Sequence, residues 1–295
     1  MADTAFEKAA RYFDKELVPP LRQMLIGRQL FAKTLPLPAG SYNIDYNKVT
    51  EMGAATISQS LPVGEVHRDM VKVESTNLKL NVILKGYEIA RDQWEAFKSK
   101  GQNLDTEAML SAAHVLGQAE DDLLIQGWDP DGDSTYEVEG LYVGADNDYS
   151  TTKGFDTYGN AIDAIAGGLA LMDADNVQGL NFNLTLNATQ FFELVASRST
   201  NGDFEYPQAL RLLNLNEGAP KGAIRVSADM TAGKGMLSPV DPSGRIMDLV
   251  IGQDPRNILG EDSKLKSISP IYGTVYEVLV PRIKQPNGLC KLSDI

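Results

Sequence analysis

An α+β fold is predicted for this 295-residue chain by three of its segments. Residues 104–126 place Met109, Ala112, Ala113, Leu116, Ala119 and Leu123 on one stripe, the strongest amphipathic helix of the sequence, with Asp105 and Glu107 near its positive N-terminal end. Residues 248–254 and 272–292 read as three strands separated by turns. Residues 40–70 are polar, punctuated by glycine and extended, with Tyr42, Ile44 and Tyr46 alternating against Asn43, Asp45 and Asn47. Such an excursion has little apolar surface of its own, so it is expected to lie on another body.

Composition narrows the function classes. The chain is long enough to bury a sizeable core as one large or two intertwined domains. A net charge of -13 argues against a nucleic-acid surface, which needs clustered Lys and Arg. The single cysteine, Cys290, excludes an intramolecular disulfide framework and fits a reducing compartment. The opening Met-Ala-Asp-Thr-Ala-Phe-Glu-Lys has no basic or apolar leader region, and no window reaches the ~18–20 apolar residues of a membrane span. A soluble protein made in the cytoplasm, without a membrane partner, is expected.

Along the chain, Phe6, Ala9, Ala10, Phe13 and Leu17 fall at helical spacing, and Pro19 and Pro20 end that helix because proline lacks the N–H and clashes with the preceding turn. A second helix is expected over 21–31. From Leu78 the alternation of Leu78, Leu80, Val82 and Leu84 against Lys79, Asn81 and Lys85 predicts a half-buried strand. Residues 128–160 form an Asp- and Gly-rich loop region. Ile162, Ile165, Leu169 and Met172 mark a helix, 180–186 a strand, and Asn187 with Gln190 a helix cap ahead of Phe191, Leu194 and Val195. A further helix near 207–215 and strands near 223–226 and 246–251 complete the pattern.

No segment carries a catalytic signature. Asp129, Asp131 and Asp133 alternate as in a calcium loop, but the sixth and twelfth places hold Ser134 and Gly140 where Gly and Glu are needed, so they form only a weak metal candidate beside a solvated acidic turn. His67 and His114 are the only histidines and have no second ligand at metal spacing. Gly233-Lys234-Gly235 and Gly167-Gly168 lack the spacing of a phosphate cradle. Cys290 has no paired His and reads as a small core residue. No cofactor and no catalytic residue are expected.

Several short segments nevertheless resemble one family in order. Leu25-Ile26-Gly27-Arg28 resembles the Leu-x-Gly-Arg signature found early in the encapsulins, the bacterial and archaeal shell proteins that share the fold of tailed-phage major capsid proteins. Glu120-Asp121-Asp122-Leu123-Leu124-Ile125-Gln126-Gly127 resembles their acidic-hydrophobic-Gly ending, Val138-Glu139-Gly140-Leu141 their Val-x-Gly-Leu turn, and Gly252-Gln253-Asp254 with Arg282-Ile283-Lys284-Gln285-Pro286 their closing strands. The resemblance implies a Hong Kong 97-type capsid fold: an N-terminal helical arm (1–39), an extended loop (40–77), a peripheral domain with a long spine helix (78–127 and 255–295) and an axial domain (128–254).

It also implies a structural protein and not an enzyme, whose partner is itself, in pentamers alone or in pentamers and hexamers of a closed icosahedral shell. Tyr42, Tyr46, His67, Arg68, Glu261, Asp262, Arg282 and Lys284 are the candidate inter-subunit contacts, together with loops 198–206 and 214–222. Phe6, Phe13 and Leu17 are candidates for a lumen-facing helix. Two containers fit. The longer loops at 128–160 and 198–222 and the acidic charge lean toward the major capsid protein of a tailed virus or provirus, enclosing a genome without sequence-specific binding and located in the virion. The N-terminal amphipathic helix fits an encapsulin nanocompartment enclosing a cargo enzyme in the cytoplasm. A soluble α+β enzyme or binding module is the distant alternative.

Overall fold

A computed structural model describes residues 9, 26–38, 40–49, 73–100, 106–175, 177–261 and 270–295, with backbone alone at 46–49, 73–76, 100 and 261. Its elements run α1 (Ile26–Leu30), β1 (Thr34–Pro36), β2 (Asn43–Val49), β3 (Val73–Lys79), β4 (Asn81–Ile89), α2 (Arg91–Lys100) and α3 (Glu107–Ile125). Then follow β5 (Gly127–Trp128), β6 (Val138–Glu139), β7 (Asn147–Ser150), α4 (Asn160–Ala174), β8 (Phe182–Leu186), α5 (Ala188–Ala196) and α6 (Glu205–Leu213). The chain closes with β9 (Ile224–Val226), β10 (Lys234–Pro239), β11 (Met247–Glu261), β12 (Ile271–Ile283) and β13 (Cys290–Ser293).

Two larger sheets organise these elements. The first has the order β1-β11-β12-β4, with β11 and β12 paired antiparallel over nearly their whole length. The spine helix α3 lies against β4 and β12. Met109, Ala112, Ala113 and Leu116 of this helix are buried with Tyr87, Ile89, Trp94, Ile271 and Val275, the small alanines allowing close approach of helix to sheet. The second sheet has the order β7-β13-β10-β8-β9. Against it α4 and α6 bury Ala161, Ala164, Ile165, Met172, Ala209 and Leu213 beside Leu184, Leu237, Cys290 and Leu292. A third cluster, with Leu30, Leu124, Leu141, Met236, Leu249, Val280 and Leu289, joins the end of the spine helix to strands of both sheets. The polar excursion is a two-stranded antiparallel ribbon, β2 with β3, running from Asn43↔Lys79 to Val49↔Val73.

Several expectations are corrected in detail. The strand begun at Leu78 is broken at Leu80, which is buried and links β3 to β4. Because side chains alternate across a strand, the break moves the inward face to Ile83, Tyr87 and Ile89 and leaves Val82 and Leu84 exposed. Gly252-Gln253-Asp254 does not end a strand. It is the site of two register shifts, between Ile251 and Gln253 and between Gln253 and Arg256, after which pairing resumes to Glu261. Any Cβ at Gly252 would stand 2.6 Å from the Leu80 side chain, so the bulge is built on close approach. Asn187 does cap its helix, its Oδ1 accepting from Thr189 N at 3.0 Å, but Gln190 is buried and does not complete a reciprocal box. In the sheets, β11 starts within the first at Met247, and β13 returns to the second.

Candidate functional site

The most tightly built polar site joins two segments whose sequence had stood out separately. Gly27 of α1 sits on the end of α3, where a Cβ would lie 2.9 Å from both Asp121 Oδ1 and the Leu124 side chain, so glycine alone fits without displacement. This contact lets the backbone N–H of Gly27 donate to Asp121 Oδ1 at 2.8 Å and that of Ile26 to Asp121 Oδ2 at 3.2 Å. Asp121 thereby satisfies the open donors at the start of α1. Burial raises the Asp121 carboxyl above its ordinary value, and these two donors oppose the rise.

Arg28 then enters the interior. Its Nε donates to Glu120 Oε1 and its Nη2 to Glu277 Oε2 at 2.7 Å, while Nη1 stands 3.6 Å from Asp254 Oδ1 beside the bulge. Glu120 and Glu277 are both fully buried. Burial raises both carboxyls, Glu277 well above the usual range because Glu120 adds like-charge repulsion; Arg28 pulls each back down. Burial alone would lower the guanidinium, but the facing carboxylates outweigh it and raise Arg28. The cluster pins α1, α3, β11 and β12 at one point. It has no nucleophile, no substrate-sized access and no metal-binding constellation, and among the described residues no group of His, Cys, Asp or Glu could hold a metal ion.

A second cluster sits at the start of β11. Asp248 faces Arg282 across the strand pair and accepts from its Nε at 2.7 Å and its Nη2 at 2.6 Å, a fork matched to the carboxylate, and also from Lys284 Nζ at 2.7 Å. Burial would raise Asp248; its hydrogen bonds from Arg282 and Lys284 win and hold it below the ordinary range. Arg282 and Lys284, expected between subunits, thus commit their charge within the chain.

The other expected positions disperse. Tyr42 is 73% exposed at the root of the ribbon. Tyr46 faces Thr76 in the ribbon's register, and Glu261 faces Ile271 at the end of β11. His67, Arg68, Asp262, Phe6, Phe13 and Leu17 lie outside the described residues. Asp129 accepts from the N–H groups of Gly132 and Ser134 and Asp133 from that of Thr135, each at 2.8 Å, so two of the three carboxylates close their own turn. Burial pushes the Cys290 thiol up to about 12 in the second core, far from a nucleophile's range.

Apolar exposure marks two surfaces. Val82 and Leu84 of β4 and Trp128 of β5 line an open groove of about 990 Å³ beside α3. At the far end of the second sheet Phe192, Phe204 and Leu215 are exposed. Loop 214–222 there is firmly held: Asn214 Oδ1 accepts from Gly222 N at 2.8 Å and Asn181 Oδ1 accepts from Asn216 N at 3.0 Å. Arg198 lies 4.4 Å from the Phe204 ring centre, closing loop 198–206.

The sequence reading missed the Arg28–Glu120–Glu277 cluster although its signal was present. Glu120 falls four residues after Leu116 on the buried stripe, and Glu277 stands at an inward position between Val275 and Leu279. A carboxylate at a core position calls for a partner, and Arg28 is that partner.

A family model described as encapsulating protein for peroxidase (Linocin_M18) matches residues 6–256. No curated protein matches the chain. Among solved structures it is similar to the virus-like particle from Pyrococcus furiosus, at 14% identity and a TM-score of 0.63, covering 97% of this chain and 100% of that one. It is similar also to the capsid of Myoviridae phage XM1 (11% identity, TM-score 0.61, 90% and 91% covered). The capsid of the native GTA particle gives 13% identity and a TM-score of 0.60, with 92% and 89% covered. At these identities the likeness is one of fold, the Hong Kong 97-type capsid fold.

Proposed function

Because this chain belongs to the encapsulin family of shell-forming structural proteins, we propose that many copies of it close into an icosahedral shell that encloses a cargo protein. The observation that carries this reading is the family match itself, which spans most of the chain from residue 6. The family and the fold are those of structural shell proteins and not of enzymes, and the polar clusters fasten elements of the subunit to one another. The subunit body is well cored, while its groove remains open. In a closed shell each contact can be weak because many are made at once.

In this reading Tyr42 and Tyr46 carry the ribbon onto a neighbouring subunit, the Val82–Leu84–Trp128 groove is covered by a neighbour, and loops 198–206 and 214–222 meet their copies around the symmetry centres. Residues 6, 13 and 17 belong to the arm that faces the lumen. The family's described cargo is a peroxidase, so an oxidoreductase is the first cargo class to seek.

A virus head is the second reading, supported by the similarity to phage capsids over about nine-tenths of the chain. Shells purified from a native host decide between them by content. A cargo reading predicts a single abundant co-purifying protein and a protein-like ratio of absorbance at 260 to 280 nm; packaged genomic DNA and no such protein would overturn it in favour of the virus head.

A further inference from the structure

The Arg28 cluster holds one more carboxylate than it can neutralise. Two oxygens in it, Glu120 Oε2 and Glu277 Oε1, are buried and accept from no donor of the chain, and the two carboxyl groups are drawn together on one guanidinium, Glu120 on Arg28 Nε and Glu277 on Nη2. A pair of ionised carboxylates cannot hydrogen-bond, and two held on one guanidinium in a buried site repel too strongly for both to keep their charge. One proton placed between them removes both difficulties: it turns the repulsion into an O–H···O⁻ bond and fills both empty acceptor sites, and leaves Arg28 with one full countercharge.

We infer that Glu120 and Glu277 bind a single shared proton, and that this proton is the latch fastening α1 to the spine helix and to β12.

The charged groups facing the pair among the described residues are Arg28 from α1, Asp121 from α3 and Asp254 from β11. Asp254 stands 3.6 Å from Arg28 but is more than half exposed, so solvent screens that pairing, and the oxygens of Asp121 are taken by the α1 backbone. The pair titrates as a unit and the proton belongs to neither residue alone. The direction of its pH dependence follows. A carboxyl whose folded value is raised contributes stability that is present in full below its ordinary value of 4.5 and is lost as pH rises through the raised one. The latch therefore holds through the ordinary carboxyl range and opens as pH rises through the pair's raised value, when the second carboxylate ionises against the first. What opens is specific: the N–H groups of Ile26 and Gly27 lose Asp121 as α1 lifts from α3.

Infrared difference spectroscopy of the full-length chain, followed as pH is raised from the ordinary carboxyl value of 4.5, tests the proton directly. The carbonyl band of a protonated carboxylic acid is expected, absent from Glu277→Gln and also from Glu120→Gln, where Arg28 has a single carboxylate to neutralise. Hydrogen exchange tests the latch: after correction for intrinsic rates, protection at Gly27 should fall toward tenfold per pH unit above the pair's value, as for release of one proton, and be flat in Glu277→Gln. A wild-type spectrum without the band overturns the inference even if neither variant folds. A band unchanged in both variants, or a Gly27 profile equal in wild type and Glu277→Gln, overturns it as well. These readouts concern one subunit's interior and are independent of whether the shell encloses cargo or genome.

Discussion

Arg28 fastens α1 to α3 and β12 at one point, because its guanidinium reaches two fully buried carboxyls. Arg28→Ala leaves both without a partner, and the loss expected in urea unfolding is about 3–5 kcal/mol. Arg28→Lys should recover little of it, since a single ammonium cannot reach Glu120 and Glu277 in the divergent directions the guanidinium does. Asp248 has the opposite pH signature to the Glu120–Glu277 pair. Its carboxyl is held below the ordinary 3.8 by the hydrogen bonds it receives, so its contribution is complete above that value and is lost as pH falls through the depressed one. Asp248→Asn should therefore be less stable than wild type at neutral pH and converge with it in strong acid, as read by melting temperature against pH. Of these side chains the sequence showed the types and hid the pairing. Arg28 and Glu120 lie 92 positions apart, and Arg28 and Glu277 lie 249 apart, so no local pattern could place them together.

At the scale of elements, legibility followed the strength of periodicity. The spine helix, α4, β8 and β12 were legible because each repeats its apolar pattern over several turns or pairs, and of the ribbon only its first strand, β2, was. α2 was not, since Arg91–Lys100 offers only Trp94 and Phe97 as apolar anchors in a polar run, and its place comes from burying Trp94 to 2% exposure. β10 was hidden by Gly235 and Pro239, residues depleted in strands. Its central position comes from pairing Leu186 on one side and Leu292 on the other. The inverted face of β4 is the clearest failure of pattern alone: Val82 and Leu84 alternate as core residues do, yet the break at Leu80 turns them outward. Gly140 shows what the family-like turn requires. A Cβ there would stand 2.4 Å from the backbone of Gln126 and Gly127, so Gly140→Ala must push β6 off the end of the spine helix. A cost of at least about 1–3 kcal/mol is expected by the scale of overpacking, measured by chemical denaturation. Val82→Asp with Leu84→Asp should leave that unfolding free energy within roughly 0.5 kcal/mol, as for surface substitutions, while abolishing assembly. A large loss of subunit stability would place those side chains inside the subunit instead.

For the whole molecule, two sheets, each with helices packed on it, and a ribbon that projects from them make a body with a firm interior and unfinished edges. The order of the short family-like segments identified this architecture where none of them alone was specific, because each marks a different joint: Gly27 and Arg28 the seat of α1, the acidic end its partner, Gly140 the turn, Gly252 the bulge. The boundary between the two sheets was not legible, since β11 and β13 cross between segments that sequence divides elsewhere. The central claim is that this chain builds a closed shell, and electron microscopy of the purified protein at neutral pH tests it most directly. Uniform closed particles, with Val82→Asp/Leu84→Asp remaining as folded unassembled subunits, are the predicted result. A wild-type chain that stays a folded monomer at every concentration would contradict it.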